Sequence, residues 1–173
     1  MKQTAGFTLI ELLIVFSVTA ILSSIGIASF LSYSRSQDLR ESTYNLQTYL
    51  QTARADVLAQ VKPAGLCGGP LQSYEVFVCC KGGGSNCPIC KSSDNIELDI
   101  SCGGSTHVVM SKSFPSDVII DNINTTNRSF VFTPISGIVS GLTSNASIVL
   151  QGKAVGSSQQ NATITVTTTG VIQ

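Results

Sequence analysis

Cysteine is the residue type in this sequence with the widest scope for chemistry. Six cysteines lie within one stretch of the chain, at Cys67, Cys79, Cys80, Cys87, Cys90 and Cys102. Cys87 and Cys90 have the spacing of a redox motif, but such a site needs a helix start, and the Gly/Ser-rich neighbours are typical of a loop. Together with Cys79 and Cys80 they could also bind zinc tetrahedrally, although adjacent ligands differ from the usual pair of Cys-x-x-Cys motifs.

Structural disulfides account best for the cysteine cluster. The six residues follow a long apolar segment, which indicates an exported, oxidising location. Six cysteines allow 15 pairings, and the sequence does not choose among them. Cys79 and Cys80 are poor partners for each other, because adjacent residues rarely reach disulfide geometry without strain. We therefore expect disulfides that brace a Cys/Gly-rich loop region.

The other candidates for a site are one histidine and three acidic residues. His107 lies in a strand-like run with no Ser–Asp pair beside it, so a structural or surface histidine is favoured. Asp94, Glu97 and Asp99 lack the spacing of a calcium loop and are more typical of a solvated strand face. The sequence contains no phosphate loop, metalloprotease helix or nucleophile elbow. We expect no enzyme activity, no cofactor and no metal.

The charge balance disfavours a nucleic-acid partner. The 173 residues carry 10 basic and 10 acidic side chains, and the mean hydropathy is +0.30. From residue 63 onward, five basic residues face six acidic ones, so no electrostatic footprint for a polyanion is present. The basic set is Lys81, Lys91, Lys112, Arg128 and Lys153, and the acidic set is Glu75, Asp94, Glu97, Asp99, Asp117 and Asp121.

A long N-terminal helix is predicted from the apolar pattern. Residues 12–31 carry no charge and would rise about 30 Å as a helix, the thickness of a bilayer core. Residues 32–61 contain neither Pro nor Gly, and Pro63 follows. The apolar face of this second part recurs at helical spacing through Leu39, Tyr44 or Leu46, Leu50, Ala53, Val57 and Val61. We predict one helix over about 8–61.

Neither an ordinary signal peptide nor a simple anchor fits this segment. The apolar run is longer than a signal peptide's, no small-residue cleavage site follows it, and a simple anchor does not need so long a helix. Lys2 before the run favours a cytoplasmic N-terminus, whereas Arg35 and Arg40 beyond it oppose that orientation. Glu11 is expensive in lipid if unpaired, at about 2.5 kcal/mol or more near the centre. Either it stays hydrated at the interface, or it pairs with an amino group created by cleavage before Phe7.

The residues around Glu11 carry a family resemblance. The run from Gly6 to Val15, Gly-Phe-Thr-Leu-Ile-Glu-Leu-Leu-Ile-Val, resembles the N-terminal motif of type IV pilins and type II secretion pseudopilins. The resemblance implies cleavage after Gly6 by a prepilin peptidase, N-methylation of Phe7, and pairing of Glu11 with the amino terminus of a neighbouring subunit. Ala28 and Ala20 stand where many major pilins have Pro and Gly. The first departure predicts an unkinked helix and does not favour a major pilin.

After Pro63 the pattern predicts strands separated by turns. The predicted strands are 74–79, 96–101, 107–110, 118–123, 129–133, 148–151 and 162–167, and the predicted turns in the last part are at Pro134, Gly137, Gly141, Gly152 and Gly156. The part from Arg128 to Ile172 resembles the heads of H-type minor pseudopilins and FimT/FimU-like minor pilins. Its Phe-Pro-Gly strand and turn, return strand and closing strand carry that similarity.

The expected fold is α+β, with a long hydrophobic helix packed on a mainly antiparallel head. We expect a leader over 1–6, a helix over 7–62 and an extracytoplasmic head over 63–173. The helix divides into a transmembrane part, about 9–31, and an amphipathic extension, about 32–61.

The resemblance implies a minor pilin or pseudopilin of a type IV pilus or type II secretion filament. Its partners would be other subunits, the prepilin peptidase/methyltransferase and the bacterial inner membrane, which it would cross once with its head in the periplasm or outside. The alternatives are a pilus-tip binding module for adhesion or DNA uptake, and a membrane-anchored redox or zinc protein.

Overall fold

The computed structural model describes residues 8–79, 94–121, 124–155 and 158–173, and it confirms the α+β class. One helix precedes eight strands. Their bounds are α1 Leu9–Leu58, β1 Leu71–Val78, β2 Ile96–Cys102, β3 Ser105–Lys112, β4 Val118–Ile120, β5 Ser129–Phe132, β6 Val139–Ser140, β7 Ala146–Val155 and β8 Ser158–Val166.

Helix α1 is continuous over 50 residues, and both of its ends are capped. At the start, the Glu11 N–H donates to Thr8 Oγ1 at 3.3 Å, the usual role of a threonine N-cap. At the end, the Val61 N–H donates to the Asp56 carbonyl and the Gln60 N–H to the Val57 carbonyl. With Gln60 at a φ of 53°, this is a Schellman motif. The unbroken α1 agrees with the helix predicted from the absence of proline.

The buried face of α1 resolves the ambiguity in its apolar pattern. Leu46, Leu50 and Val57 are fully buried. Tyr44 is 69% exposed, so it does not belong to the buried face. Val61, which lies beyond the helix end, is also exposed. The core-facing stripe therefore runs through Leu46 and ends with the helix.

The strands form two sheets, and all the strand pairs are antiparallel. The five-stranded sheet has the order β3-β2-β1-β5-β6, and the three-stranded sheet has the order β4-β7-β8. In the larger sheet Val76 lies opposite both Leu98 and Phe130. Helix α1 contacts strands of both sheets, so its buried stripe and their inner faces share one core.

Two acidic residues overturn the prediction of a solvated strand face. Glu97 and Asp99 alternate with the core residues of β2, yet each is only 1% exposed. Strand β2 lies between β1 and β3, with Glu97 opposite Phe77 and Ser111, and Asp99 opposite Glu75 and Val108. Whether the second face of a strand is covered depends on contacts with distant residues, which period-2 alternation alone does not reveal.

Two further details differ from the predictions. Gly152, predicted in a turn, lies inside β7, where a register irregularity follows it and Leu39 packs against it. An irregular register beside an approaching side chain is a common use of a strand glycine. The two-residue strand β6 was not predicted, because so short a strand has no alternation to detect. Residues 122, 123 and 156, parts of a predicted strand and a predicted turn, lie outside the described residues.

A disulfide joins the segment after α1 to the end of β2. Cys67 and Cys102 are bonded, with their Cα atoms 5.7 Å apart. Beside them the backbones of Gly69 and Gly103 cross so closely that a Cβ on Gly69 would lie 2.6 Å from Gly103 Cα. Closing a loop of this length stabilises a fold by about 3–4 kcal/mol in the chain-entropy model.

Candidate functional site: the exposed half of the helix

The N-terminal half of α1 makes no packing contact with the head. Every described side chain from Leu9 to Tyr33 is exposed, and residues 24–26 and 28 lie outside this description. The first buried residue is Leu39. We call residues 9–33 the exposed helix half. At 1.5 Å per residue it extends about 38 Å beyond the head.

Apolar side chains surround the exposed helix half on all sides. Thirteen large apolar residues between Leu9 and Leu31 are each at least 46% exposed. The polar Ser17 and Thr19 do not interrupt this surface. Their hydroxyls donate to the carbonyls of Leu13 and Val15, at 2.9 and 2.8 Å, as such hydroxyls commonly do within a helix. A helix that is apolar all round is typically a buried helix, and the described head residues do not cover this half.

Glu11 is the one charged residue of the exposed helix half. It lies in the first turn of α1 and is exposed. Within the described residues it has no ion-pair partner. The amino-terminal end of a helix carries a partial positive charge that favours an acidic side chain there. A carboxylate at this point is therefore tolerated by its own helix and remains available to a cation from outside.

Two ion pairs hold the helix to the head where the exposed half ends. Arg35 Nε lies 3.4 Å from Asp117 Oδ2, and Lys112 Nζ lies 3.5 Å from Glu41 Oε1. Both pairs are partly exposed, so each contributes about 1 kcal/mol or less. Because they join α1 to the segment before β4 and to the end of β3, they fix the direction in which the exposed half leaves the head.

The predicted site residues are distributed unevenly over the described chain. Glu11 lies at the tip of the exposed helix half. Gly6 and Phe7 lie outside the described residues, as do Cys80, Cys87 and Cys90. Cys79 is disulfide-bonded as well, and none of the described cysteines is a free thiol. A disulfide is therefore present in the Cys-rich part of the head, between Cys67 and Cys102.

The segment predicted to cross a membrane, about 9–31, is helical throughout. Within the described residues, no helix is both long and apolar enough to cross a membrane.

In the head, burial removes one of the five basic residues from the surface. Arg128 is 8% exposed, and burial lowers the pKa of its guanidinium.

Comparison with known proteins shows what the N-terminal segment is similar to. Residues 1–27 match the family model described as the prokaryotic N-terminal methylation motif. The chain is also 39% identical over 66 residues to prepilin peptidase-dependent protein D of Escherichia coli (strain K12). The N-terminal segment of the chain is type IV pilin-like. This agrees with the resemblance carried by the residues from Gly6 to Val15.

The similarity of this pilin-like chain to its relative is confined to part of each protein. The matched region covers 38% of the chain and 43% of the curated relative, which is less than half of either. No solved structure matches the chain. The family model likewise covers only the N-terminal part of the chain.

Sequence reasoning missed two features of the helix. The hydroxyls of Ser17 and Thr19 fold back onto the backbone, and Gln60 closes the helix in a left-handed conformation. A serine or threonine inside a predicted helix is the signal for a hydroxyl that bonds to the backbone carbonyl four residues earlier. The second had no signal, because glycine, not glutamine, is the usual residue at that position.

Proposed function

We propose that this chain is a structural subunit of a type IV pilus or type II secretion filament and that it assembles through the exposed helix half. The observation that carries the proposal is an apolar helix surface of about 38 Å that the chain itself leaves bare. Burying each large apolar side chain is worth about 1.5–3 kcal/mol, so thirteen of them strongly favour a second apolar environment. The match to the methylation motif supports this.

The exposed helix half lies first in the membrane and later among neighbouring subunits. Before assembly, the chain is anchored in the inner membrane by the apolar half of α1, and prepilin peptidase cleaves after Gly6. During assembly, the same surface exchanges lipid for the helices of neighbouring subunits. The folded-back hydroxyls of Ser17 and Thr19 suit both environments, because neither needs an outside partner.

Glu11 gives the otherwise smooth helix an axial register. Cleavage after Gly6 creates an α-amino group on Phe7, and the Phe7 amine of one subunit pairs with Glu11 of its neighbour. Each charge is costly to bury alone, and removal of either one leaves the other unpaired. An apolar rod with one carboxylate therefore has a preferred position along its neighbour.

The head favours a minor pilin or pseudopilin among such subunits. Its C-terminal part has the order that the resemblance implies: β5, the turn after Pro134, a return strand β7 and a closing strand β8. The Ala28 of the uninterrupted α1 also departs from the pattern of many major pilins.

The test separates membrane insertion from assembly. Glu11→Ala should leave membrane fractionation and Gly6 cleavage unchanged but lower the amount of chain in shear-released filaments, and Glu11→Asp should be milder. Asp38→Ala, which removes a carboxylate of the same helix within the head region, is the matched control and should assemble normally. Wild-type assembly of Glu11→Ala would remove the carboxylate from the mechanism. Absence of the wild-type chain from sheared filaments would refute the proposed function.

A further inference from the structure

The turn between β5 and β6 holds an isoleucine in an unusual conformation. Ile135 has a φ of 73°, and the Ser136 N–H donates to the Pro134 carbonyl at 2.9 Å across it. This is the geometry of a γ-turn of the rare, strained form. A β-branched residue with positive φ is an outlier, since its Cβ crowds the backbone. Asparagine or glycine would adopt this conformation at lower cost.

The surrounding structure holds the turn in place. The Gly137 N–H donates to the Thr133 carbonyl at 3.0 Å, and the Thr133 and Ser136 hydroxyls are 3.0 Å apart. Gly137 rests on the side chain of Leu58, which would lie 3.0 Å from a Cβ at that position. Strain that the surroundings enforce at an exposed site is a reason to look for a function.

The strained residue points its side chain into solvent. Ile135 is 83% exposed, more than any other large apolar residue of the described head. Three further exposed apolar residues lie at or near Gly137, two residues after Ile135. Leu58 contacts Gly137, Ile138 follows Gly137, and Val171 follows Gly170, whose backbone touches the Gly137 carbonyl. We call Leu58, Ile135, Ile138 and Val171 the Ile135 patch.

We propose that the Ile135 patch docks the exposed helix half of a neighbouring subunit in the filament. This inference rests on the proposed function. The patch residues are uncharged, and the nearby Arg54 directs its Nη2 to the Thr169 carbonyl at 3.4 Å, while its buried Nε has no hydrogen-bond partner among the described residues. A partner surface that fits the Ile135 patch is therefore apolar and forms no ion pair with the patch residues. Among the described residues, the exposed helix half is the largest surface of that kind.

The geometry of α1 makes the occupant another chain. Leu58 is the last residue of the helix, and Tyr33 is the last residue of its exposed half. About 38 Å of continuous helix separates the two, so the exposed half cannot fold back onto its own patch. A donor surface at one end and an acceptor at the other make a heterologous contact, which builds an open helical filament when its rotation does not close into a ring.

The experiment uses Ile135→Asn in the full chain. Asparagine tolerates positive φ, so the variant should keep or raise the melting temperature of the wild type while its amount in shear-released filaments falls several-fold. Ile119→Asn, which replaces an isoleucine that is 45% exposed on β4, should assemble like the wild type. A benzophenone side chain at position 135 should crosslink to peptides from residues 9–33 of another subunit.

Three outcomes would overturn the inference. Normal assembly of Ile135→Asn would show that the side chain is not an interface residue. A lower melting temperature for Ile135→Asn would assign Ile135 to the fold instead. Crosslinks only to other head regions or to proteins outside the filament would assign the patch to a different occupant. In each case a wild-type chain present in sheared filaments leaves the proposed function intact, whereas its absence refutes both.

Discussion

The Tyr74 hydroxyl donates a hydrogen bond to the Val61 carbonyl at 3.1 Å. Tyr74 lies on β1 and is fully buried, and Val61 is the residue whose N–H completes the cap of α1. One bond therefore joins the central strand of the larger sheet to the chain as it leaves the helix. The head is fixed to the helix at this end by Tyr74, and at the other end by the Arg35–Asp117 and Lys112–Glu41 ion pairs.

Removal of that hydroxyl should weaken the fold. Tyr74→Phe keeps the ring in the core but leaves the Val61 carbonyl without this donor, so we expect a loss of about 0.5–1.5 kcal/mol in the free energy of unfolding. Chemical denaturation measures the difference. Tyr44→Phe, at a tyrosine that is 69% exposed, should unfold at the wild-type denaturant concentration. Equal stability of Tyr74→Phe and the wild type would mean that the bond contributes nothing.

Alkaline pH should destabilise the protein through the same residue. Burial, reinforced by the negative charge of Asp56, raises the pKa of Tyr74 to about 12, from an ordinary 10.0. A raised pKa means that the folded state favours the protonated phenol, so its stabilising effect is complete below pH 10 and is lost between pH 10 and about 12. Denaturation midpoints across that range should fall for the wild type, and the fall should be shallower in Tyr74→Phe. Parallel curves would contradict this assignment.

Asp56 should reduce stability at neutral pH. Burial raises the pKa of its carboxyl above the ordinary 3.8, and it lies near the negative end of the α1 dipole. Because the folded state favours the protonated acid, its stabilising effect is present at low pH and lost as pH rises through the folded pKa. Asp56→Asn should therefore melt at a higher temperature than the wild type at pH 7, and the gap should close as pH falls toward 4. Asp38→Asn, on the same helix, is the control, and a gap independent of pH would refute the explanation.

The oxidised cysteines should be measurable by alkylation. Under denaturing, non-reducing conditions, Cys67, Cys79 and Cys102 should resist labelling, because all three are disulfide-bonded. We also predict that most of the six cysteines are oxidised, so labelling of four or more thiols, or stoichiometric zinc, would exclude the disulfide arrangement. Replacing Cys67 and Cys102 together by Ser should cost about 3–4 kcal/mol of unfolding free energy.

The helix was the most predictable part of the fold. Its predicted span of about 8–61 lies close to Leu9–Leu58. The apolar run marks the start of the helix locally, and the Pro- and Gly-free residues 32–61 followed by Pro63 mark its end. The choice between Tyr44 and Leu46 could not be made in advance. The two lie two residues apart on opposite faces of α1, and the placement of the sheets decides which face is covered.

The head was predictable in its elements and not in their arrangement. Each of the seven predicted strand segments overlaps an observed strand. The division into two sheets, the pairing of Cys67 with Cys102 and the burial of Glu97 depend on contacts between distant residues, which local alternation does not encode. The positive φ of Ile135 was equally hidden, although the Pro-Ile-Ser-Gly run did predict a turn.

The central claim is that the chain is cleaved after Gly6 and enters a filament through its apolar helix. The most direct test is the intact mass of the chain recovered from shear-released filaments. The proposal predicts a single species that begins at Phe7, carries one added methyl group and lacks the hydrogens lost on disulfide formation. A filament-borne chain that retains Met1, or one cut beyond Leu31, would contradict it.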